Sequence, residues 1–294
     1  MGNEKNVQAQ GMEDLWNVWY SELNNNNCGL TLKIDKIHES TKSKFQRIEV
    51  IENKLFGKML VLYGSLMVCD NDNNAYNEML SHVPLFVHPK PNRMLIIGGG
   101  DCGGLTEAIK HPDVKKIVMC EIDKKVVEIS KKHFPYLTDG ISDPRVEMVF
   151  EDGQKYIEKY NEKFDIITLD LSDPVGPAAD LFQSPFHKKV YDALYDDGIM
   201  VAQSESPFFN KDAVKSMYHN LKLIFPIVKM YTCFMPIYPS AYWSFAFCSK
   251  KYDPVKDYRQ EKFDRLNLKT RYYNDSTHRA AFALPEFVRE IVGD

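Results

Sequence analysis

A glycine run between an apolar strand and a helical pattern constrains this chain most. Met94–Ile97 leads directly into Gly98-Gly99-Gly100-Asp101-Cys102-Gly103-Gly104. Such a run turns a buried strand sharply into a helix and lets a ligand approach the backbone. From Arg93 onward apolar strands alternate with helical patterns: MLIIGGG, KKIVMCEID, VEMVFED, FDIITLDLSD, GIMVAQSES, IVKMYTCF and WSFAFCSK. Strands this apolar, separated by helices, form a parallel sheet covered on both faces. The last two have no helix between them and are expected to pair antiparallel at an edge.

The loop fits G-x-G-x-x-G through Gly98, Gly100 and Gly103, and Glu121 ends the next strand about 20 residues on, where an acid takes a ribose hydroxyl pair. A dinucleotide is the first candidate, and Asp101 argues against it. A carboxylate inside the loop faces the pyrophosphate, and two like charges 4 Å apart cost about 4 kcal/mol at an effective dielectric constant of ~20. A sulfonium nucleoside carries no phosphate and does carry cationic groups. Asp152, followed by Gly153, closes the third strand and is placed for the adenine amine. Each acid alone reads as a helix cap; three acids at three successive strand ends read as a nucleoside site. The expected fold is α/β, a Rossmann-like sheet of the class I methyltransferase type.

Ahead of that sheet the pattern is different. LTLKIDKI, FQRIEVIE and KMLVLYGSLMV alternate with period two, with turns at Asn53 and Gly57, and predict a small antiparallel β lobe. A helix is expected over 73–86. The domains are set at 12–72 for the lobe and 73–294 for the Rossmann-like part.

Composition closes off other classes. A net charge of −4 argues against nucleic acid as the main partner, since phosphate binding needs a basic surface. No apolar run approaches the ~20 residues of a membrane span. Six cysteines form no CxxC pair and eight histidines show no ligand spacing, so reduced thiols and no metal site are expected. Residues 1–10 are polar, without the apolar core of a secretory leader, which places the chain in the cytoplasm as an expectation.

The fourth strand ends in Asp170-Leu171-Ser172-Asp173-Pro174. Carboxylates at a strand's C-terminal edge lie where open α/β sheets bind ligands. A carboxylate there can hold an ammonium and accept its proton, the step an amine needs before it attacks carbon. Tyr76 and Glu78, on the helix before the glycine loop, are expected to reach over the same site.

GGGDxGG, CEID, EDG, DxSDPxGPA, QxES, YPS and the closing YYNxxxHxAAFxLP occur together in this order. The chain resembles the spermidine synthases from about Trp16 to its end. The resemblance implies aminopropyl transfer from decarboxylated S-adenosylmethionine, used as co-substrate with no permanently bound cofactor, to a diamine, with putrescine the expected acceptor. It implies that Gln46 contacts the thioether end of the nucleoside, Glu121 the ribose and Asp152 the adenine. Asp101 and Asp170 would hold the aminopropyl amine. Tyr76, Asp170 and Asp173 would bind and deprotonate the attacking amine, with Asp173–Gly176 in a closing loop. Gln203, Glu205, Tyr238 and Trp243 would line the amine channel. A homodimer or homotetramer is implied too.

Departures from the family pattern concentrate near the acceptor. Leu62-Tyr63-Gly64 stands for the usual LDG, Asp72-Asn73 for DE, and Tyr76-Asn77-Glu78 for YHE or YQE. Cys102 and Gly104 replace a Gly and a Thr of the loop, and Leu171 a Ser or Thr. Loss of acid is expected to weaken the hold on a distal cation. Two other functions stay open at this point: a diamine N-methyltransferase using S-adenosylmethionine, and a catalytically weak ligand-binding relative.

Overall fold

The computed structural model describes residues 18–25, 28–159, 161–171 and 184–294. The N-terminal part is antiparallel throughout. Strands β1 (Val18–Asn25) and β2 (Cys28–Ile34) form a ribbon. Strands β3 (Lys36–Lys42), β4 (Arg47–Asn53), β5 (Gly57–Leu62) and β6 (Ser65–Cys69) form a four-stranded sheet in sequence order. The run expected as one strand, LTLKIDKI, divides at Asp35 between the two sheets. Asn53 explains the β4–β5 turn: its Oδ1 accepts from the amides of Leu55 (3.0 Å) and Phe56 (2.8 Å), a local bond that competes with strand pairing. The β5–β6 turn is tighter. Tyr63 and Gly64 have φ of +53° and +88°, the signature of a two-residue type I′ hairpin.

Helix α1 (Asn73–Val87) follows, and every residue of it except Asn74 is buried. A helix apolar or satisfied on all sides belongs in an interior, and α1 packs on the main sheet while presenting Tyr76 to the glycine loop. Glu78 is turned away from that loop. Its carboxylate accepts from the amides of Arg271 (2.9 Å), Tyr272 (2.9 Å) and Tyr273 (2.8 Å), so it fastens the C-terminal segment instead of reaching over the site.

The main sheet comprises β7 (Arg93–Gly98), β8 (Lys116–Cys120), β9 (Val146–Val149), β10 (Phe164–Asp170), β11 (Leu194–Gln203), β12 (Ile227–Phe234) and β13 (Tyr242–Ser249). Its order is β12-β13-β11-β10-β7-β8-β9. β13 is antiparallel to both neighbours and inserts between β11 and β12, so the last two strands form the expected antiparallel pair at this edge, with β12 outermost. The connecting helices are α2 (Gly103–Ala108), α3 (Lys124–His133), α4 (Pro135–Thr138), α5 (Gly153–Lys159), α6 (Ser184–Ala193) and α7 (Lys211–Lys222). Three more, α8 (Gln260–Leu266), α9 (Asp275–Ala281) and α10 (Glu286–Val292), close the chain. The strand order reverses between β7 and β10, and the carboxyl edge of such a switch point is where open α/β sheets take ligands. This is the expected Rossmann-like sheet with its antiparallel lobe. Among the described residues no helix is long and apolar enough to cross a membrane.

Candidate active site

The glycine loop exists because β10 ends against it. Asp170 pairs with Gly98 in register, and its carbonyl accepts the Gly99 amide at 2.8 Å. Gly98 and Gly99 have φ of +83° and +72°. A Cβ on Gly98 would overlap the Asp170 carbonyl, and one on Gly99 would meet the Asp170 carboxylate at 2.8 Å. Glycine is therefore required twice over, by conformation and by contact. Cys102 sits at φ +68°, a position where a side chain is strained, with its thiol buried.

A cavity of about 370 Å³ opens over this edge. Asp101, Glu121, Asp152 and Asp170 line it, and among the described residues it has no Lys, Arg or His in its wall. Asp101 Oδ1 accepts the Gly103 amide (2.7 Å), Glu121 Oε1 the Asp123 amide (2.7 Å) and Asp152 Oδ1 the Gln154 amide (2.8 Å). Backbone donors orient these acids without neutralising them. Burial raises the carboxyl pKa of Asp101 to about 6 and of Glu121 to about 7. Asp170 rises to about 7, first by burial and then by the charge of Asp101, although the Tyr76 hydroxyl counteracts this. Carboxyl groups crowded together out of water, with no cation among them, are poised for a cationic ligand.

Tyr76 donates its hydroxyl to Asp170 Oδ1 at 2.7 Å. Burial and the nearby Asp170 charge hold its phenol well above the ordinary value, so it stays a neutral donor. Asp170 Oδ2 is buried and has no hydrogen-bond partner among the described residues. The Tyr76 ring packs against Phe245 (5.1 Å) and Tyr238 (5.8 Å). Tyr238 in turn donates to the Met67 carbonyl at 2.5 Å, tying this wall to the lobe.

Of the residues singled out in the sequence, Gln46, Tyr76, Gly98, Gly100, Asp101, Glu121, Asp152, Gly153, Asp170 and Tyr238 line this one cavity. Gln203, Glu205 and Trp243 are not part of its described lining. Gln203 donates to the Leu171 carbonyl (3.3 Å) and to Glu205 (3.2 Å), while Trp243 packs edge-on against Tyr238 at 4.7 Å. They sit behind Leu171 and Tyr238. Asp173, with the Asp173–Gly176 stretch, lies outside the described residues. Asn73 donates to the carbonyls of Cys69 and Asp70 (both 2.9 Å), and Asn77 packs against Gly103, where an added Cβ would overlap its amide. Neither lines the cavity, so of the suspected acid losses only Tyr63 faces it.

One participant escaped the sequence reading. Asp123 accepts from Gln46 Nε2 (3.1 Å) and Ser43 Oγ (2.6 Å), and so fixes the lobe's glutamine over the nucleoside edge. Its signal in the sequence is the CEID run, which ends in this aspartate. A group with metal-ligand chemistry also exists: His88, Asp165 and Asp197 bring one ligand atom each within 4.8 Å. It lies at the start of β10, away from the cavity. His88 Nδ1 accepts the Lys90 amide at 3.2 Å, which leaves the proton of the neutral ring on Nε2, facing both carboxylates at 3.7–3.9 Å. That tautomer serves an electrostatic tie and has no lone pair for an ion.

Residues 73–259 match the family model described as the spermine/spermidine synthase domain, and residues 18–70 the one described as the spermidine synthase tetramerisation domain. The chain belongs to the spermine/spermidine synthase family. It is 44% identical to a polyamine aminopropyltransferase of Caldicellulosiruptor saccharolyticus, over 94% of this chain and 98% of that one. The identity to a polyamine aminopropyltransferase of Bacillus subtilis is 42%, over 94% and 99%. Among solved structures, spermidine synthase in complex with the transition-state analogue AdoDATO is 41% identical with a TM-score of 0.91, covering 94% of this chain and 95% of that one. The spermidine synthase of Thermotoga maritima is 42% identical with a TM-score of 0.90, covering 94% of each. The enzyme is thus a polyamine aminopropyltransferase, spermidine-synthase-like in sequence and fold.

The buried acids make a prediction for the unliganded enzyme. A carboxyl whose pKa is raised on folding contributes stability that is complete below its unfolded pKa and is lost as pH rises through the folded value. For Glu121 that window runs from the ordinary glutamate value of 4.5 to about 7. Glu121→Gln should therefore raise the melting temperature of the free enzyme at pH 8, by about 1–3 kcal/mol of stability, with most of the gain gone at pH 5. Thermal scans at both pH values measure this; an equal gain at both would assign the effect to packing.

Proposed function

We propose that this enzyme transfers the aminopropyl group of decarboxylated S-adenosylmethionine to a diamine, putrescine first among them, giving spermidine and methylthioadenosine. The observation that carries the reading is a cavity walled by four carboxylates and, among the described residues, no cationic side chain. The proposed donor is a sulfonium with a primary ammonium and no carboxylate, and the acceptor is a second cation. The similar complex of a spermidine synthase with the transition-state analogue AdoDATO supports the same substrate class.

The residues divide the work. Glu121 and Asp152 end β8 and precede α5, and take the ribose hydroxyls and the adenine amine. Gln46, held by Asp123, closes over the thioether end. Asp101 and Asp170 hold the ammonium of the propyl chain. Decarboxylated donor and Asp101 attract, whereas the carboxylate of S-adenosylmethionine is repelled there. Tyr76 occupies Asp170 Oδ1 and leaves Oδ2 to the incoming amine. In the reaction the amine gives up a proton to a carboxylate, Asp170 or Asp173. Its lone pair then forms the C–N bond to the methylene beside sulfur. The C–S bond breaks, and its electron pair stays on sulfur as a neutral thioether. The sulfonium is already a good leaving group, so positioning supplies most of the acceleration. Gln203, Glu205 and Trp243 support the acceptor wall from behind Leu171 and Tyr238.

Residues 12–72 are read as an assembly lobe and 73–294 as the catalytic unit. Exposed apolar side chains on the lobe, Trp19 (58%) and Leu23 (79%) among them, and the name of the family model over 18–70 support a homodimer or homotetramer.

Two experiments test the reaction. Mass spectrometry of products, with both sulfonium donors offered against a diamine panel, should show aminopropyl and not methyl transfer. Calorimetry should show the decarboxylated donor binding at least ~10-fold more tightly, the equivalent of about 1.4 kcal/mol from one charge-assisted contact. Methylated product, or equal binding of the two donors, points instead to an N-methyltransferase. Separately, Asp170→Asn should lower kcat by roughly 10²-fold or more while nucleoside binding persists. Normal turnover by that variant would reduce Asp170 to a turn residue.

A further inference from the structure

Asp123 stands where the lobe meets the sheet. It is buried, and it caps α3 by accepting the Lys125 amide at Oδ1 (3.1 Å). Its own amide donates to Glu121 Oε1 at 2.7 Å. A capping aspartate needs one oxygen for that task. The second oxygen of Asp123 is turned to the lobe. Oδ2 accepts from two side chains of the β3–β4 connection, Ser43 Oγ (2.6 Å) and Gln46 Nε2 (3.1 Å). The Ser43 oxygen gives its hydrogen to Asp123 and accepts the amides of Phe45 (3.0 Å) and Gln46 (3.1 Å). One carboxylate thus sets the turn that carries Gln46 and also grips the end of its side chain.

The grip on the side chain has a chemical consequence. A carboxamide has a donating end and an accepting end, and a carboxylate only accepts. Asp123 therefore takes the amino end of Gln46 and leaves the carbonyl Oε1 as the end on offer. Gln46 lines the cavity, and its Oε1 has no hydrogen-bond partner among the described residues. In the proposed donor the groups that suit such an oxygen are electropositive: the ribose hydroxyl hydrogens and the methylenes polarised by the sulfonium. A carbonyl oxygen is attracted to them, and an amino group turned the same way is repelled. Without a fixed acceptor at Asp123 the amide is free to present either end.

We propose that Asp123 is a positioning residue for the donor: by holding Nε2 it presents the Gln46 carbonyl oxygen, and not the amino group, to the nucleoside. This assignment rests on the aminopropyl-transfer reading above and deepens it, since Asp123 is not part of the described cavity lining and acts through a residue that is. Its amide sets Glu121 as its carboxylate sets Gln46, so two acceptors at the nucleoside edge, one from the sheet and one from the lobe, share one support.

Asp123→Ser keeps a capping oxygen for α3 and withdraws the reach to the lobe. Steady-state kinetics with putrescine and the decarboxylated donor should show the donor KM of D123S raised about 3- to 10-fold, as for one lost hydrogen bond. The diamine KM should stay as in the wild type. An exchange of charge between the two positions tests the polarity of the amide. Gln46→Glu sets two carboxylates against each other. Adding Asp123→Asn supplies an amino group to the new carboxylate, whose other oxygen then faces the donor as an acceptor. The donor KM should rise in Q46E and fall back at least ~3-fold in Q46E/D123N. An unaltered donor KM in D123S overturns the proposal and leaves Asp123 a helix cap. A Q46E/D123N enzyme no better than Q46E also overturns it, by limiting Asp123 to the fold of the turn. Failure of the wild type to transfer an aminopropyl group to any diamine defeats the underlying reaction and this assignment together, whereas wild-type transfer with unaltered D123S defeats this assignment alone.

Discussion

The contact between the end of β10 and the glycine loop sets the rest of the molecule. The Gly99 amide on the Asp170 carbonyl brings two backbones too close for a side chain at Gly98, and the Asp170 carboxylate stands where one on Gly99 would go. That approach buries the Asp170 carboxylate and sets it against the Asp101 loop, and the same burial raises the pKa of each. Desolvated acids cost the free protein stability. An enzyme keeps such an arrangement where a cationic ligand offsets it, and proteins commonly exchange stability for function at such sites.

The β lobe and α1 turn an open sheet edge into an enclosed cavity. α1 is buried on nearly every side and delivers Tyr76 to Asp170. At the head of the helix Asp72 accepts from the Cys69 thiol (2.7 Å) and from the Ile237 amide (3.1 Å), which sets the segment carrying Tyr238. Gln46 and Asp123 clamp the other side of the lobe onto the nucleoside edge. Both clamps are polar and directional. They define where the lobe's neutral wall of Leu62, Tyr63, Ser65 and Met67 stands relative to the acids of the sheet.

Much of this was legible in the sequence for a physical reason. Strand ends in a parallel sheet share one edge, so acids at Asp101, Glu121, Asp152 and Asp170 had to converge whatever the details of packing. Side-chain direction on a buried helix carries no such guarantee. Glu78, two residues from Tyr76, turns to the C-terminal segment; Asn73 caps carbonyls at the helix start; Asn77 packs on Gly103. Their neighbourhood in the chain suggested a shared site; the helical twist turns Glu78 away from Tyr76, and contacts at the helix start and with Gly103 take up the two asparagines. Tyr63 reversed the other way: a position read as a missing acid proves to be a hairpin turn, where an aspartate is first of all a good turn former, and the aromatic ring is the unusual feature. Gln203, Glu205 and Trp243 stand behind the cavity wall because Leu171 and Tyr238 intervene, a matter of depth that no linear pattern records.

The central claim is that buried, partly protonated carboxylates are the receptor for a cationic donor. Asp170 and Glu121 titrate near pH 7 and Asp101 near 6 in the free enzyme. A bound cation favours their ionised forms, so binding and proton loss are coupled. Calorimetric titration of decarboxylated S-adenosylmethionine at pH 6.5, in two buffers of different ionisation enthalpy, measures that coupling directly. The account predicts a net release of protons on binding, diminishing as the pH is raised to 8.5. Binding with no proton release at pH 6.5, or with proton uptake, would contradict it.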